Sequence, residues 1–394
     1  MNILFYSYFD VAPQKGGTER ITASVSTGLR KMGCRCFLVY DCDVDKTLTR
    51  IPFDGRMKVG RLTKTNNAER FKQFVIFNKI NVIVIQGLFD KAAQIKKVMT
   101  GYSMHIVFVH HFNPGAEETF FSFMSVYKSL QNNKNGKFRN FVRLILFPIL
   151  KMKNTIKLHK NYRTTYMVAD KTVLLSKGFI NEFMYYARIN DKSKFYVIHN
   201  ALSFSMYFDM SKYEQKHKEV IVVSRLEERQ KRISLALKIW SAIEQMPQFS
   251  DWNLLIIGNG SDEEKYKKFV REKGLSHVFF EGRQNPEPYY QKASIFMMTS
   301  SFEGWGLTLT EAQQYGVVPL AFNSYASVSD IITDKYNGYL VSNNDINSYV
   351  KYLTLLMSDY DLRHRMALNC IESSKRFERQ HICNQWIQLF KQLM

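Results

Sequence analysis

Short apolar runs recur along this chain, and a helix-periodic segment follows nearly every one. Met1 to Tyr8, Arg35 to Tyr40, Asn81 to Gln86, Met104 to Val109, Asp170 to Ser176 and Phe195 to Ala201 read as strands, then Glu219 to Ser224, Asn253 to Ile257, Val278 to Gly282 and Ile295 to Met298. Between them, Thr18 to Met32 has a helical stripe through Ile21, Val25 and Leu29, with Thr18 as its expected cap, and a second helix is expected from about 67 to 78. Strands that alternate with helices form parallel, doubly wound sheets, whose ligands bind beyond the carboxyl ends of the strands. With 394 residues the chain is too long for one ordinary core and suits two such domains. The polar, aperiodic stretch 204–218 reads as a linker between a first domain, 1–203, and a second, 219–375, with 376–394 as a final helix.

The most informative stretch runs from Ile295 to Val341. An apolar strand passes through Thr299-Ser300-Ser301-Phe302 into Glu303-Gly304-Trp305-Gly306, then into a helix from about Leu307 to Tyr315. Such a turn aligns unpaired backbone N–H groups with the positive end of the helix dipole and favours phosphate or sugar oxygens. Gly304 and Gly306 allow the backbone to come close to a ligand. Glu311 lies two turns after Glu303 on a similar face, so the two carboxylates either point towards one polyol or are solvated helix-end acids.

The pattern Glu303-x7-Glu311 with Gly304-x-Gly306 resembles the signature of retaining GT-B glycosyltransferases, in particular glycosyltransferase family 4. The resemblance implies two Rossmann-like doubly wound domains facing across a cleft. It implies that Glu311 binds the ribose of a nucleotide sugar, that Glu303 lies beside the donor sugar, and that the N–H groups of Gly304, Trp305, Gly306 and Leu307 meet donor oxygens.

Other segments extend the resemblance. Arg225 and Lys231 follow the first strand of the second domain, where the family clamps the diphosphate, and fixed cations are what a departing nucleoside diphosphate requires. Gly258 ends the next strand in a turn without the third glycine of a dinucleotide fingerprint. Arg283 is expected near the base. In the first domain Gly16 and Gly17 resemble the family's Gly-Gly loop near the donor diphosphate and acceptor, and either His110 or His111 fills the place of a histidine that contacts the donor sugar. Two departures stand out: His199 and Ala201 replace a usual proline and glycine, and Tyr325 to Asp330 replaces a Gly-Gly-x-x-Glu sequence, which leaves the sugar open.

Asp41-Cys42-Asp43 matches an Asp-x-Asp metal motif in form and is expected to be a solvated loop; no metal site and no cofactor are expected. Five cysteines without a CxxC pair argue for a reducing compartment. No leader and no membrane-spanning run is recognised, so the expected location is either the cytoplasm or the cytoplasmic face of the cell membrane.

A net charge of +20 calls for an anionic partner. From Thr119 to Ala169 there is no acid, while basic and apolar residues interleave, most densely over about 134–165. That segment either lies in an anionic membrane interface or packs on the sheet with a solvated basic face. Nucleic acid is not expected, because no RNP, zinc or helix-turn-helix pattern accompanies the charge.

The expectation is a metal-independent retaining hexosyltransferase that uses a nucleotide sugar, a UDP-sugar, and a saccharide or lipid-linked acceptor in capsule, O-antigen or exopolysaccharide synthesis. The alternatives are a non-catalytic GT-B scaffold or nucleotide-sugar-binding subunit, and a nucleic-acid-binding protein.

Overall fold

A computed structural model describes residues 1–120, 142 and 145–394. The chain divides into two compact units, one of residues 1–199 with 382–394, the other of residues 200–381.

The first unit holds a seven-stranded sheet: β1 Asn2–Phe9, β2 Arg35–Cys42, β3 Gly55–Lys58, β4 Val82–Gln86, β5 His105–His110, β6 Lys171–Leu174 and β7 Phe195–Val197. Its order is β3-β2-β1-β4-β5-β6-β7, so the winding reverses between β1 and β4. Ile3 registers with Cys36 on one side and Val82 on the other, in parallel pairs. Ile83, Val84 and Ile85 are fully buried, as strands covered on both faces require.

The second unit holds six parallel strands: β8 Glu219–Val223, β9 Asn253–Ile257, β10 Val278–Gly282, β11 Ile295–Met298, β12 Val318–Asn323 and β13 Tyr339–Ser342. Their order is β10-β9-β8-β11-β12-β13, with the reversal between β8 and β11. Ile295 registers with Val220 and with Val318. The helix Ile233–Ile243 presses Leu237 and Trp240 onto this sheet, both fully buried.

Several expectations need correction. The first helix spans Gly17–Lys31 with Gly16 as its cap, so Thr18 sits inside it and its carbonyl accepts from Thr22 Oγ1 at 2.8 Å. The stretch 204–218 is not a free linker. Tyr213 is buried in the core, Gln314 Nε2 donates to the carbonyls of Phe204 and Met206 at 3.0 and 2.8 Å, and Lys216 Nζ donates to those of Tyr290 and Tyr315 at 2.7 and 2.8 Å. Polar composition concealed this anchoring because hydrogen bonds, not apolar burial, carry much of it. Asp41 is likewise no solvated loop residue. It lies within β2, accepts from Tyr6 Oη at 2.7 Å and pairs with buried Lys91 at 2.8 Å, whereas exposed Asp43 pairs with Lys58. The helix Arg379–Leu393 contributes its residues from Ile382 onward to the first unit, where Cys383, Trp386 and Phe390 are buried.

Candidate functional site

The loops that leave β8 and β11 emerge side by side at the switch point of the second sheet, where open α/β sheets bind ligands. They are stitched together along their length. Ser301 N donates to Gln230 O at 2.7 Å, Thr299 Oγ1 to Lys231 O at 2.9 Å, and Arg232 to the carbonyls of Thr299 and Ser300 at 2.7 and 2.8 Å. Arg232 itself adopts a left-handed conformation at φ +48°, between the short helix Glu228–Lys231 and the helix Ile233–Ile243. A non-glycine residue holds such a conformation only when its surroundings over-determine it, and its side chain also reaches Asn344 Oδ1 at 2.7 Å.

This stitching aims Lys231 at Glu303. The two form an ion pair, 14% and 10% exposed. Glu303 also accepts from Ser300 Oγ at 2.7 Å and from Gln230 Nε2 at 3.1 Å. Gln230, buried, donates as well to Phe302 O at 3.2 Å and accepts from Arg225 at 3.1 Å. One amide therefore joins Arg225 to the predicted sugar-side carboxylate, which Lys231 reaches directly. Nothing local in Glu228-Arg229-Gln230-Lys231-Arg232 singles it out, since it is the one uncharged side chain in a charged run. Arg225 remains mostly exposed.

The glycines near this site serve the backbone. Gly306 caps the helix Leu307–Gln314 at φ +97°, and a side chain there would meet Tyr325 Oη at 3.1 Å. Tyr325 is buried beside Glu303; burial first and the negative charge of Glu303 second push its phenol well above the ordinary range. Gly258, at φ +141°, lets its turn lie against the loop of Arg225, and a Cβ there would stand 1.8 Å from Ser224 O. Gly304 is buried, Leu307 half-buried and Arg283 exposed just past β10. Trp305 is a packing residue, buried edge-on against Phe377 at 5.2 Å.

Glu311 departs from the expectation of two carboxylates open to one ligand. It is fully buried, taking Ser203 Oγ on one oxygen at 2.6 Å and Tyr290 Oη on the other at 3.1 Å. Both donors are far from it in sequence, so no spacing could have revealed them.

In the first unit the two histidines part company. His110, the last residue of β5, is 1% exposed in a cage of Phe89, Phe108, Tyr162 and Phe183, and Tyr162 Oη stands 3.2 Å from its Nε2. Burial lowers its pKa to about 3. His111 lies just past the strand end, partly exposed, with Nε2 bonded to Gln86 Oε1 at the end of β4; burial lowers its pKa to about 4. Gly16 and Gly17 open a helix at the carboxyl end of β1, Gly17 exposed. Among the described residues no cluster of three or more His, Cys, Asp or Glu side chains could hold a metal ion.

Residues 207–372 match the family model of glycosyl transferases group 1. An uncharacterized glycosyltransferase of Haemophilus influenzae is 32% identical over 152 residues, 38% of this chain and 42% of that protein. A GalNAc-alpha-(1->4)-GalNAc-alpha-(1->3)-diNAcBac-PP-undecaprenol alpha-1,4-N-acetyl-D-galactosaminyltransferase of Campylobacter jejuni is 24% identical over 231 residues, 59% of this chain and 62% of that protein. The chain thus matches less than two thirds of either relative. Among solved structures, Anabaena Alr3699/HepE in complex with UDP has a TM-score of 0.73 at 16% identity, with both chains fully covered, and this likeness identifies the fold as GT-B. The second unit is thus similar over residues 207–372 to group 1 glycosyl transferases, and the chain as a whole has the GT-B arrangement of two Rossmann-like sheets.

Proposed function

We propose that this protein is a retaining glycosyltransferase that moves a hexosyl unit from a UDP-sugar to a saccharide or lipid-linked saccharide acceptor in the synthesis of a bacterial surface polysaccharide. The observation that carries the reading is the convergence of Arg225, Gln230, Lys231 and Glu303 at the switch point of a domain that matches group 1 transferases. A structure of the same fold holds UDP, and the Campylobacter relative acts, by its name, on a saccharide linked to undecaprenyl diphosphate.

In this mechanism Arg225 and Lys231 stabilise the diphosphate as its bond to the sugar C1 breaks. The acceptor oxygen forms its bond to C1 on the same face, and the acceptor proton passes to the leaving diphosphate. Glu303 accepts from sugar hydroxyls, and the start of the helix Leu307–Gln314 faces donor oxygens. Glu311 binds the ribose, whose hydroxyls take the place of Ser203 on its carboxylate. Of the two candidate histidines, His111 is the one left for a ligand, because His110 is spent on packing. The two cations supply the charge a divalent ion would bring, so turnover is insensitive to EDTA. The enzyme works at the membrane face where a lipid-linked acceptor resides.

A turnover screen over UDP-, GDP- and ADP-sugars, with product anomers read by NMR, tests this. One UDP-sugar yielding a product of retained configuration supports the proposal, provided Lys231→Ala and Glu311→Ala are inactive. Donor binding without turnover on any saccharide or lipid-linked acceptor favours the scaffold alternative.

A further inference from the structure

The helix Phe147–Val168 is fastened to the first unit by one face. Leu158, Tyr162, Thr165 and Tyr166 are buried, the Tyr162 ring lies tilted against Phe89 and Phe183 with centroids 4.5 and 4.7 Å away, and Thr165 Oγ1 donates to Phe89 O at 2.7 Å. The opposite face is apolar and open. Ile149, Met152 and Ile156 recur at the spacing of one helical stripe and are 49%, 58% and 59% exposed. Tyr185, on the neighbouring helix Phe179–Ala187, is exposed beside His159 and adds an aromatic edge to this side. Lys151, Lys153, Lys157, Lys160 and Arg163 are all exposed around the stripe, and no acid occurs between residues 145 and 168. The remainder of the basic segment expected from the sequence, 134–141 with 143–144, lies outside the described residues.

We propose that this ridge is a docking surface for an anionic lipid bilayer, with Ile149, Met152 and Ile156 inserted below the headgroups and the surrounding cations at headgroup level. The proposal deepens the membrane part of the functional reading and rests on it only for the nature of the acceptor. Charge selects the occupant. A second copy would set these cations against an equal set on a chain whose net charge is +20. A nucleic acid would use the cations but would leave three aliphatic side chains facing water. An anionic bilayer takes both, since its interface accepts apolar side chains and its surface potential attracts basic ones. Rigid anchoring of the other face means that insertion orders no additional backbone.

Sedimentation of the full chain with vesicles tests the proposal. The wild type is expected to bind vesicles of phosphatidylcholine with roughly 30% phosphatidylglycerol, and to bind pure phosphatidylcholine at least about tenfold more weakly. Ile149→Gln/Ile156→Gln and Lys153→Gln/Lys157→Gln/Lys160→Gln should each weaken binding to the anionic vesicles about tenfold or more. All these positions are exposed, so melting temperature and UDP binding without vesicles should stay as in the wild type. That pair of controls separates failure of this proposal from failure of the transferase reading. Absence of vesicle binding by the wild type, or undiminished binding by the isoleucine variant, overturns it. So does a dimer in ultracentrifugation that the isoleucine variant dissolves, or duplex RNA binding in place of vesicle binding.

Discussion

Lys231→Met removes one member of the buried pair and leaves the other. Glu303, only 10% exposed as a side chain, would retain Ser300 at 2.7 Å and Gln230 at 3.1 Å but lose its countercharge. Breaking such a pair costs about 3–5 kcal/mol, and two surviving donors place the loss at the lower end, about 3 kcal/mol. For a domain the size of the second unit this lowers the melting temperature by roughly 6–12 °C. The double variant Lys231→Met/Glu303→Gln removes the stranded charge while keeping an acceptor for Ser300, so it should recover most of that loss. Donor turnover should be lost in both. Stability and activity therefore separate, as they must if the pair stabilises the empty site and its members also act on the donor. Thermal unfolding by circular dichroism alongside donor hydrolysis reads both. A single variant melting within about 2 °C of wild type, or a double variant no more stable than the single, refutes the reasoning.

Three further outcomes follow from the geometry. Tyr290→Phe deletes one of the two named bonds to the buried Glu311 carboxylate; it should cost about 1.5–3 kcal/mol in denaturant unfolding and weaken UDP more than inorganic diphosphate. Gly258→Ala sets a methyl group 1.8 Å from Ser224 O at a backbone angle alanine resists, so the loop of Arg225 must move, and UDP affinity should fall at least about tenfold even where folded protein is recovered. His110 and His111 are both held neutral by burial, with pKa values of about 3 and about 4 against an ordinary 6.5. Below pH 6.5 the unfolded chain takes up protons the fold refuses, so the stability present above that pH is lost as pH falls towards 4 for His111 and 3 for His110. The slope is about 1.4 kcal/mol per pH unit for His110 and up to twice that with His111, and His110→Leu should flatten it in urea unfolding at stepped pH.

How far the sequence reached depends on the range of the interactions involved. The strand-turn-helix through Glu303 and Gly306 was legible because it is local: an apolar run, a glycine that must cap a helix, and a periodic segment. The place of Arg225 and Lys231 was legible because both follow the first strand of their sheet, while the diphosphate role given to them rests on the resemblance. Gln230 was not, since its three partners lie on two loops far apart in sequence that the strand order brings side by side. The burial of Glu311 was hidden for the same reason, because Ser203 is 108 residues away. His110 and His111 are indistinguishable in sequence, and the strand's end decides between them: the last paired residue turns inward among aromatic rings, and the next is released. The edge strand Gly55–Lys58 escaped notice because three half-buried residues and an exposed lysine carry too little apolar signal; its register with Phe37 to Tyr40 fixes it instead.

The central claim is that a nucleoside diphosphate binds beyond the carboxyl ends of β8 and β11. Isothermal titration of UDP into the wild type, Arg225→Ala and Lys231→Ala tests it directly. The account predicts one UDP per chain, with affinity reduced about tenfold or more by either substitution. Absence of UDP binding, or binding that neither substitution weakens, would contradict it.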